Sequence, residues 1–383
     1  MIYWAIFVII FISALFYDMF GYSLKKKEVY LYIVFSLIAL AAFRYRVGSD
    51  TLIYADEFTK FKSFNQIHDI TYFFSINGRM FGWVFLNVFI KSFFCNFIVL
   101  QLFCALIVNL IICRFIYKNT NYVFTVLLFY YVALYLFLNF EVMRQSLSVA
   151  LFLLFYEYRI KRKFVLCFLL AVFAFSFHES FLVCFLYIFF LLLPIGKKFL
   201  LLWFVLCTLT LFFKDILFNN IVNMFFQTDN SNDKILIYLQ DGLQYQDGFP
   251  IYNLLNIVLN LIVPAFFIYK NLSLPIVKPL LAYSSCYVFI SIIPIVYRFN
   301  YFYMIFFFIS IVNVFYVLSM KFRQQKIVFF LLVLCFVYVK CRIYFVQDPN
   351  NNVCNYVKYY PYSSVFDYTI DREREKIFSS NNM

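Results

Sequence analysis

The sequence predicts an all-α, polytopic membrane bundle of about twelve spans plus one re-entrant or interfacial segment. Three observations carry that reading. First, the 383 residues are 65% hydrophobic, with a mean hydropathy of +0.85 and only 13% charged residues, whereas water-soluble domains are about 45–50% apolar. Second, runs such as Met1 to Phe16 and Phe181 to Leu193 are continuously apolar, as lipid-facing helices require, and lack the alternation of a transmembrane β-barrel. Third, basic residues fall in short clusters between these runs. Soluble enzymes, secreted modules and disordered tails are excluded together.

In chain order the apolar stretches run at 2–20, 29–43, 80–94, 97–113, 122–140, 145–158, 164–177, 180–193, 199–213, 252–269, 277–293, 299–320 and 327–344. They are read as one transmembrane domain over 1–344, followed by a C-terminal tail over 345–383. The first run is not read as a cleavable signal, because Lys25, Lys26 and Lys27 come after it and no small-residue cleavage site does. The clusters Lys25 to Lys27, Arg114 with Lys118, Arg159 with Lys161 to Lys163, Lys197 with Lys198, Lys270 with Lys278, and Lys321 with Arg323 and Lys326 place their short loops in the cytoplasm. The external side then collects the loops 44–79 and 214–250, the 141–144 corner, a hinge at His178, the Tyr297 to Tyr301 corner and the tail. Three apolar stretches lie between 44–79 and 141–144, an odd number for two points on one side. One of 80–94 and 97–113 is therefore re-entrant or interfacial, and 80–94, with Gly82 and Lys91, is the better candidate.

The net charge of +13 is explained by this topology, so no nucleic-acid partner is expected. Ten cysteines without a CxxC pair and only two histidines make a zinc site improbable, and no metal or cofactor is expected. The chain has no Gly-rich phosphate loop, no GxSxG elbow and no internal repeat of the transporter kind.

Ionisable residues at membrane depth are costly and are read as functional by default. Four places qualify. In Phe43-Arg44-Tyr45-Arg46-Val47-Gly48-Ser49-Asp50-Thr51 an apolar helix ends in two arginines. Arg44 and Arg46 suit phosphate oxygens, Gly48 allows a turn, and Asp50 can orient an arginine; the alternative is that the arginines snorkel. In Asn139-Phe140-Glu141-Val142-Met143-Arg144-Gln145, the spacing puts Glu141, Arg144 and Gln145 on one helical face, where an ion pair ending the helix is the plainer reading. His178-Glu179-Ser180 splits the stretch 164–193 into halves of about fourteen residues, each reaching ~21 Å against a ~30 Å hydrocarbon core. Broken helices opening to a polar cavity fit that length, and an imidazole there is suited to take a proton from a hydroxyl. Lastly, Arg298 stands at the outer start of a very apolar helix between Tyr297 and Tyr301, as a phosphate ligand or as an interfacial anchor.

Together these signatures resemble the EpsG-like family of Wzy-type polymerases. The resemblance lies in Arg46-Val47-Gly48-Ser49-Asp50-Thr51 with Tyr54 and Phe58, in Arg144-Gln145 opening an apolar helix, in His178-x-Ser180, in Arg298 with Tyr301, and in the tail run Tyr359-Tyr360-Pro361-Tyr362. It covers nearly the whole chain in order. It departs at Glu179, where the family more often carries proline.

The resemblance implies an inner-membrane glycosyltransferase that makes O-antigen-like or exopolysaccharide chains at the periplasmic face. Its substrates would be polyprenyl-diphosphate-linked oligosaccharides, the growing glycan passing from its carrier lipid to a newly flipped lipid-linked repeat. On that reading Arg46, Arg144 and Arg298, with Arg44 in support, hold the diphosphate; His178 is the first choice of base and Glu141 the second. Gly48, Asp50, Gln145, Ser180 and Tyr301 support them. Membrane lipid, a flippase and a chain-length regulator are the implied partners. A lipid-linked oligosaccharide flippase or an O-antigen ligase would use related residues; a flippase should spread its arginines along a central path, whereas here they gather on one side.

Overall fold

The computed structural model describes residues 2–76, 78–226, 250–348 and 353–380. Most of the expected external loop 214–250 lies outside them. The chain forms two compact units, 1–182 with 326–383, and 183–325.

The first unit is built from α1 (Ile2–Ser13, continued by a π-helical turn Ala14–Met19), α2 (Lys26–Ala42), α3 (Ser49–Lys60), α4 (Tyr72–Ser75), α5 (Phe81–Phe93), α6 (Phe97–Asn119), α7 (Val123–Tyr130, continued by π-helical segments Tyr131–Tyr135 and Phe137–Glu141), α8 (Met143–Ile160) and α9 (Phe164–Phe177). The helices Gln325–Phe345 and Arg372–Ser380 and a two-stranded hairpin, Gln347–Asp348 with Val353–Cys354, complete it. The predicted all-α class holds. Among the described residues, Ile2–Met19, Phe97–Asn119 and Gln325–Phe345 are long and apolar enough to cross a membrane. The pair Lys197–Phe212 and Lys214–Asn220, bent by 68°, makes a fourth if it is one span. The other apolar helices have 10–17 residues.

The basic clusters meet at one end of this unit. Lys26 lies 3.4 Å from Asp18, whose carboxylate accepts from the Thr125 amide at 2.7 Å and the Thr125 hydroxyl at 3.0 Å; Arg114 and Lys118 both pair with Glu157. At the opposite end, Gln101 Nε2 donates to the carbonyls of Ala42 and Arg44, 3.2 Å each. The segment from 43 to 101 thus leaves and returns at the same end. Helix α5 belongs to this excursion: Lys91 Nζ donates to Phe58 O and Thr59 O at 3.0 and 2.6 Å, and Ser92 Oγ accepts from the Phe64 amide at 2.8 Å. It therefore does not carry the chain from one end to the other.

Between the ends, buried Asn109 donates to Asn139 Oδ1 at 2.7 Å and accepts from the Tyr130 hydroxyl at 3.0 Å. In lipid such side-chain bonds between helices contribute about 0.6–2 kcal/mol each. Asn139 also donates to Tyr135 O at 2.9 Å, within the π-helical stretch that ends at Glu141. Segments of this kind recur at functional sites because the extra residue re-aims the side chains beyond it.

The second unit contains Cys184–Leu192, Lys197–Phe212, Pro250–Ile257 with its continuation to Lys270, Val277–Ile292, a 3₁₀ stretch Pro294–Phe302 and Met304–Ser319. Its centre joins Tyr283, stacked on Phe307 at 4.4 Å, to Asn260, whose side-chain oxygen accepts from the Tyr283 hydroxyl at 2.5 Å.

Candidate active site

The turn between α2 and α3 is fixed by backbone and by tail. Gly48 has φ +91°, and a Cβ there would drive into the carbonyl of Phe140. The tail docks alongside: the Tyr45 amide donates to Ser363 O at 2.8 Å, the Val365 amide to Phe43 O at 2.9 Å and the Gly48 amide to Lys358 O at 3.1 Å. Gly48→Ala should accordingly cost at least about 1–3 kcal/mol, seen as a lower melting temperature in detergent. An unchanged melting temperature would show that the turn is not constrained.

Glu141 is 6% exposed and closes the start of α3. Its carboxylate accepts from the Ser49 amide at 3.2 Å, the Asp50 amide at 3.3 Å and the Ser49 hydroxyl. A helix N-terminus after Gly-Ser is a ready anion seat, and here the protein's own carboxylate fills it.

Arg44 is 1% exposed. It donates to Thr51 Oγ1 at 3.3 Å, to the Ala41 carbonyl and to Met143 Sδ at 3.2 Å, with Phe140's ring 4.9 Å away. Thr51 in turn donates to Phe140 O at 2.8 Å. This guanidinium ties the α2 end to the 140–143 corner from inside and is enclosed by protein.

Arg46, two residues on, adopts φ +51°, and its side chain is partly exposed. Glu375 of the C-terminal helix accepts from its Nε at 2.8 Å and its Nη2 at 2.7 Å, and this bonding raises the arginine's pKa above its ordinary value. Buried Arg374 secures the same helix, donating to Arg46 O at 3.2 Å and Pro361 O at 2.6 Å.

Arg144, at the start of α8, donates through Nη1 to Gly78 O at 3.2 Å, with its guanidinium carbon 6.0 Å from the Tyr54 ring centre. Burial first, then the charge of Asp50, push the Tyr54 hydroxyl up to about 12, so it stays a neutral phenol. Gln145 beside it is fully buried.

Helix α9 ends at His178 as expected. The Ser180 amide donates to His178 Nδ1 at 3.1 Å. Since a backbone amide can only donate, Nδ1 carries the lone pair, and the neutral ring holds its proton on Nε2. This end of α9 lies against the start of α5, where a Cβ on Gly82 would strike the Ser176 side chain and carbonyl. His178 and the Gly78–Arg144 contact therefore stand at the same end of the unit. Arg298 and Tyr301 are in the second unit, where Arg298 Nε donates to the Tyr297 hydroxyl at 3.3 Å and Tyr297 meets Tyr301 edge-on at 5.9 Å.

A family model describing the EpsG family matches residues 27–364. The chain belongs to the EpsG family. This is a family of Wzy-like polymerases, so membership brings an exopolysaccharide- or O-antigen-polymerase-like role, a glycosyltransferase-like activity and a place in the membrane. A search of curated proteins and a search of solved structures gave no match.

Two features of this EpsG-family chain escaped the sequence reading. Glu375 and Arg374 lie beyond the matched span, in the run Asp371-Arg372-Glu373-Arg374-Glu375-Lys376, which looks like any solvated charged helix. Arg79 pairs with Glu57 through Nε at 3.0 Å and through Nη2; an arginine directly ahead of an apolar run was the available signal.

Proposed function

We propose that this protein is a surface-polysaccharide polymerase acting at the periplasmic face of the bacterial inner membrane, with about twelve spans and α5 as the interfacial segment. The observation that carries the reading is convergence: the Arg46 turn, the Glu141–Arg144 corner and the break at His178, distant in sequence, share the end of the first unit opposite its lysine- and arginine-rich end.

In the proposed reaction the bond between the anomeric carbon of the donor glycan and its polyprenyl diphosphate breaks. The diphosphate leaves with the electron pair, and the anomeric carbon bonds to a hydroxyl oxygen of the acceptor's terminal sugar. Arg46 and Arg144 stabilise the leaving diphosphate electrostatically, and Arg298 is assigned the same task on its motif. Arg44 and Glu141 hold the frame. His178 takes the hydroxyl proton at Nδ1, the acceptor O–H replacing the Ser180 amide as its donor. A flippase supplies the repeats, and a chain-length regulator can limit the product.

The protein purified into lipid vesicles with a polyprenyl-diphosphate-linked oligosaccharide should lengthen the lipid-linked glycan and release free polyprenyl diphosphate in step. Movement of the oligosaccharide across the bilayer without lengthening would replace this reading with a flippase. Lengthening only on a lipid A core acceptor would replace it with a ligase.

A further inference from the structure

We propose that Arg79 joins Arg144 in holding the diphosphate and sets the preference for diphosphate over monophosphate lipids, an inference that rests on the polymerase reading. Both guanidiniums donate through Nη1 to the same oxygen, Gly78 O, Arg79 at 3.1 Å and Arg144 at 3.2 Å. Two cations meeting across one carbonyl repel each other, and that carbonyl satisfies only one N–H of each.

Two carboxylates, Glu57 and Asp50, act on Arg79. Glu57 accepts from the Nε and Nη2 side of Arg79, and Asp50 acts on Arg79 and Tyr54 through its charge. Glu57 therefore steadies Arg79 from one edge and leaves its Nη1 end at Gly78. On the other side Arg144 Nε is enclosed and has no hydrogen-bond partner, a donor that an incoming anion oxygen can satisfy. Tyr54, whose ring centre lies 6.0 Å from the Arg144 guanidinium carbon and whose hydroxyl burial keeps protonated, adds a neutral donor on the same side. Two guanidinium ends side by side match two linked phosphates, whereas a lone phosphate needs only one of them.

The test is binding of a short-chain prenyl diphosphate and of the matching prenyl monophosphate to the full chain in lipid nanodiscs. Arg79→Gln should weaken diphosphate binding about tenfold or more, the worth of one charge-assisted hydrogen bond, and leave monophosphate binding within about twofold. Arg79→Lys, which keeps the charge opposite Glu57, should show the same loss of preference with normal folding. If Arg79 only braces Glu57, both variants and Glu57→Gln will lower the melting temperature while the ratio of the two affinities stays that of the wild type, and the proposal falls while the polymerase reading stands. If the wild-type protein neither binds the diphosphate lipid nor lengthens glycans, both fall.

Discussion

Replacing Arg144 with lysine should reduce glycan lengthening about 10²–10³-fold at equal protein level, because a preorganised donor to a developing anion is typically worth that much. Lysine keeps the charge, so the loss isolates geometry. Arg144 reaches Gly78 O with one nitrogen, lies 6.0 Å from the Tyr54 ring centre and keeps Nε in an enclosed position; a flexible ammonium group reproduces none of that fork. The measurement is the initial rate of polyprenyl diphosphate release in vesicles. Arg46→Lys should lose less, since two of the Arg46 donors already serve Glu375. Arg44→Lys should act mainly on the melting temperature, since its donors end on Thr51, Ala41 and Met143. A lysine variant at Arg144 within about twofold of the wild-type rate would remove bidentate recognition from the mechanism.

How much the sequence discloses depends on the distance over which each signal acts. Apolar runs and basic clusters are local, and they gave the all-α membrane class and the helix end at His178 directly. Counting sides left 80–94 and 97–113 as candidates for an excursion, and Gly82 with Lys91 favoured the first, because parity is a property of order along the chain and needs no contacts. Glu141 was legible as a charge in an expensive place, but its task was not: the amides of Ser49 and Asp50 reach it across about ninety residues of chain, a separation that no spacing rule addresses. Arg44 and Arg46 look equivalent in sequence, yet Arg44 is enclosed by protein whereas Arg46, at the left-handed turn, stays partly exposed against Glu375. The same limit hid Glu375, whose partner is a turn more than three hundred residues upstream. Local chemistry thus singled out these ionisable residues, and only the fold showed which of them protein encloses and what each one contacts.

His178→Ala should slow lengthening about 10²–10⁴-fold, the usual contribution of a positioned proton acceptor, while His68→Ala, at an exposed position between α3 and α4, should leave the rate unchanged. The Ser180 contact makes a sharper comparison available. Because Nδ1 accepts from the Ser180 amide, the neutral ring has a lone pair on Nδ1 and a proton on Nε2, so it offers both an acceptor and a donor. His178→Gln keeps an amide N–H donor at a similar reach but has no nitrogen able to take a proton at neutral pH. If the histidine is the base, the glutamine variant should be as slow as the alanine variant, with binding of prenyl diphosphate unchanged in both. Retention of most of the rate in His178→Gln would mean that the ring works through Nε2–H, as a donor to the substrate. Full rate in His178→Ala would take the histidine out of the chemistry and leave Glu141 as the remaining candidate, which would then have to release Ser49 and Asp50 from its carboxylate before it could accept a proton.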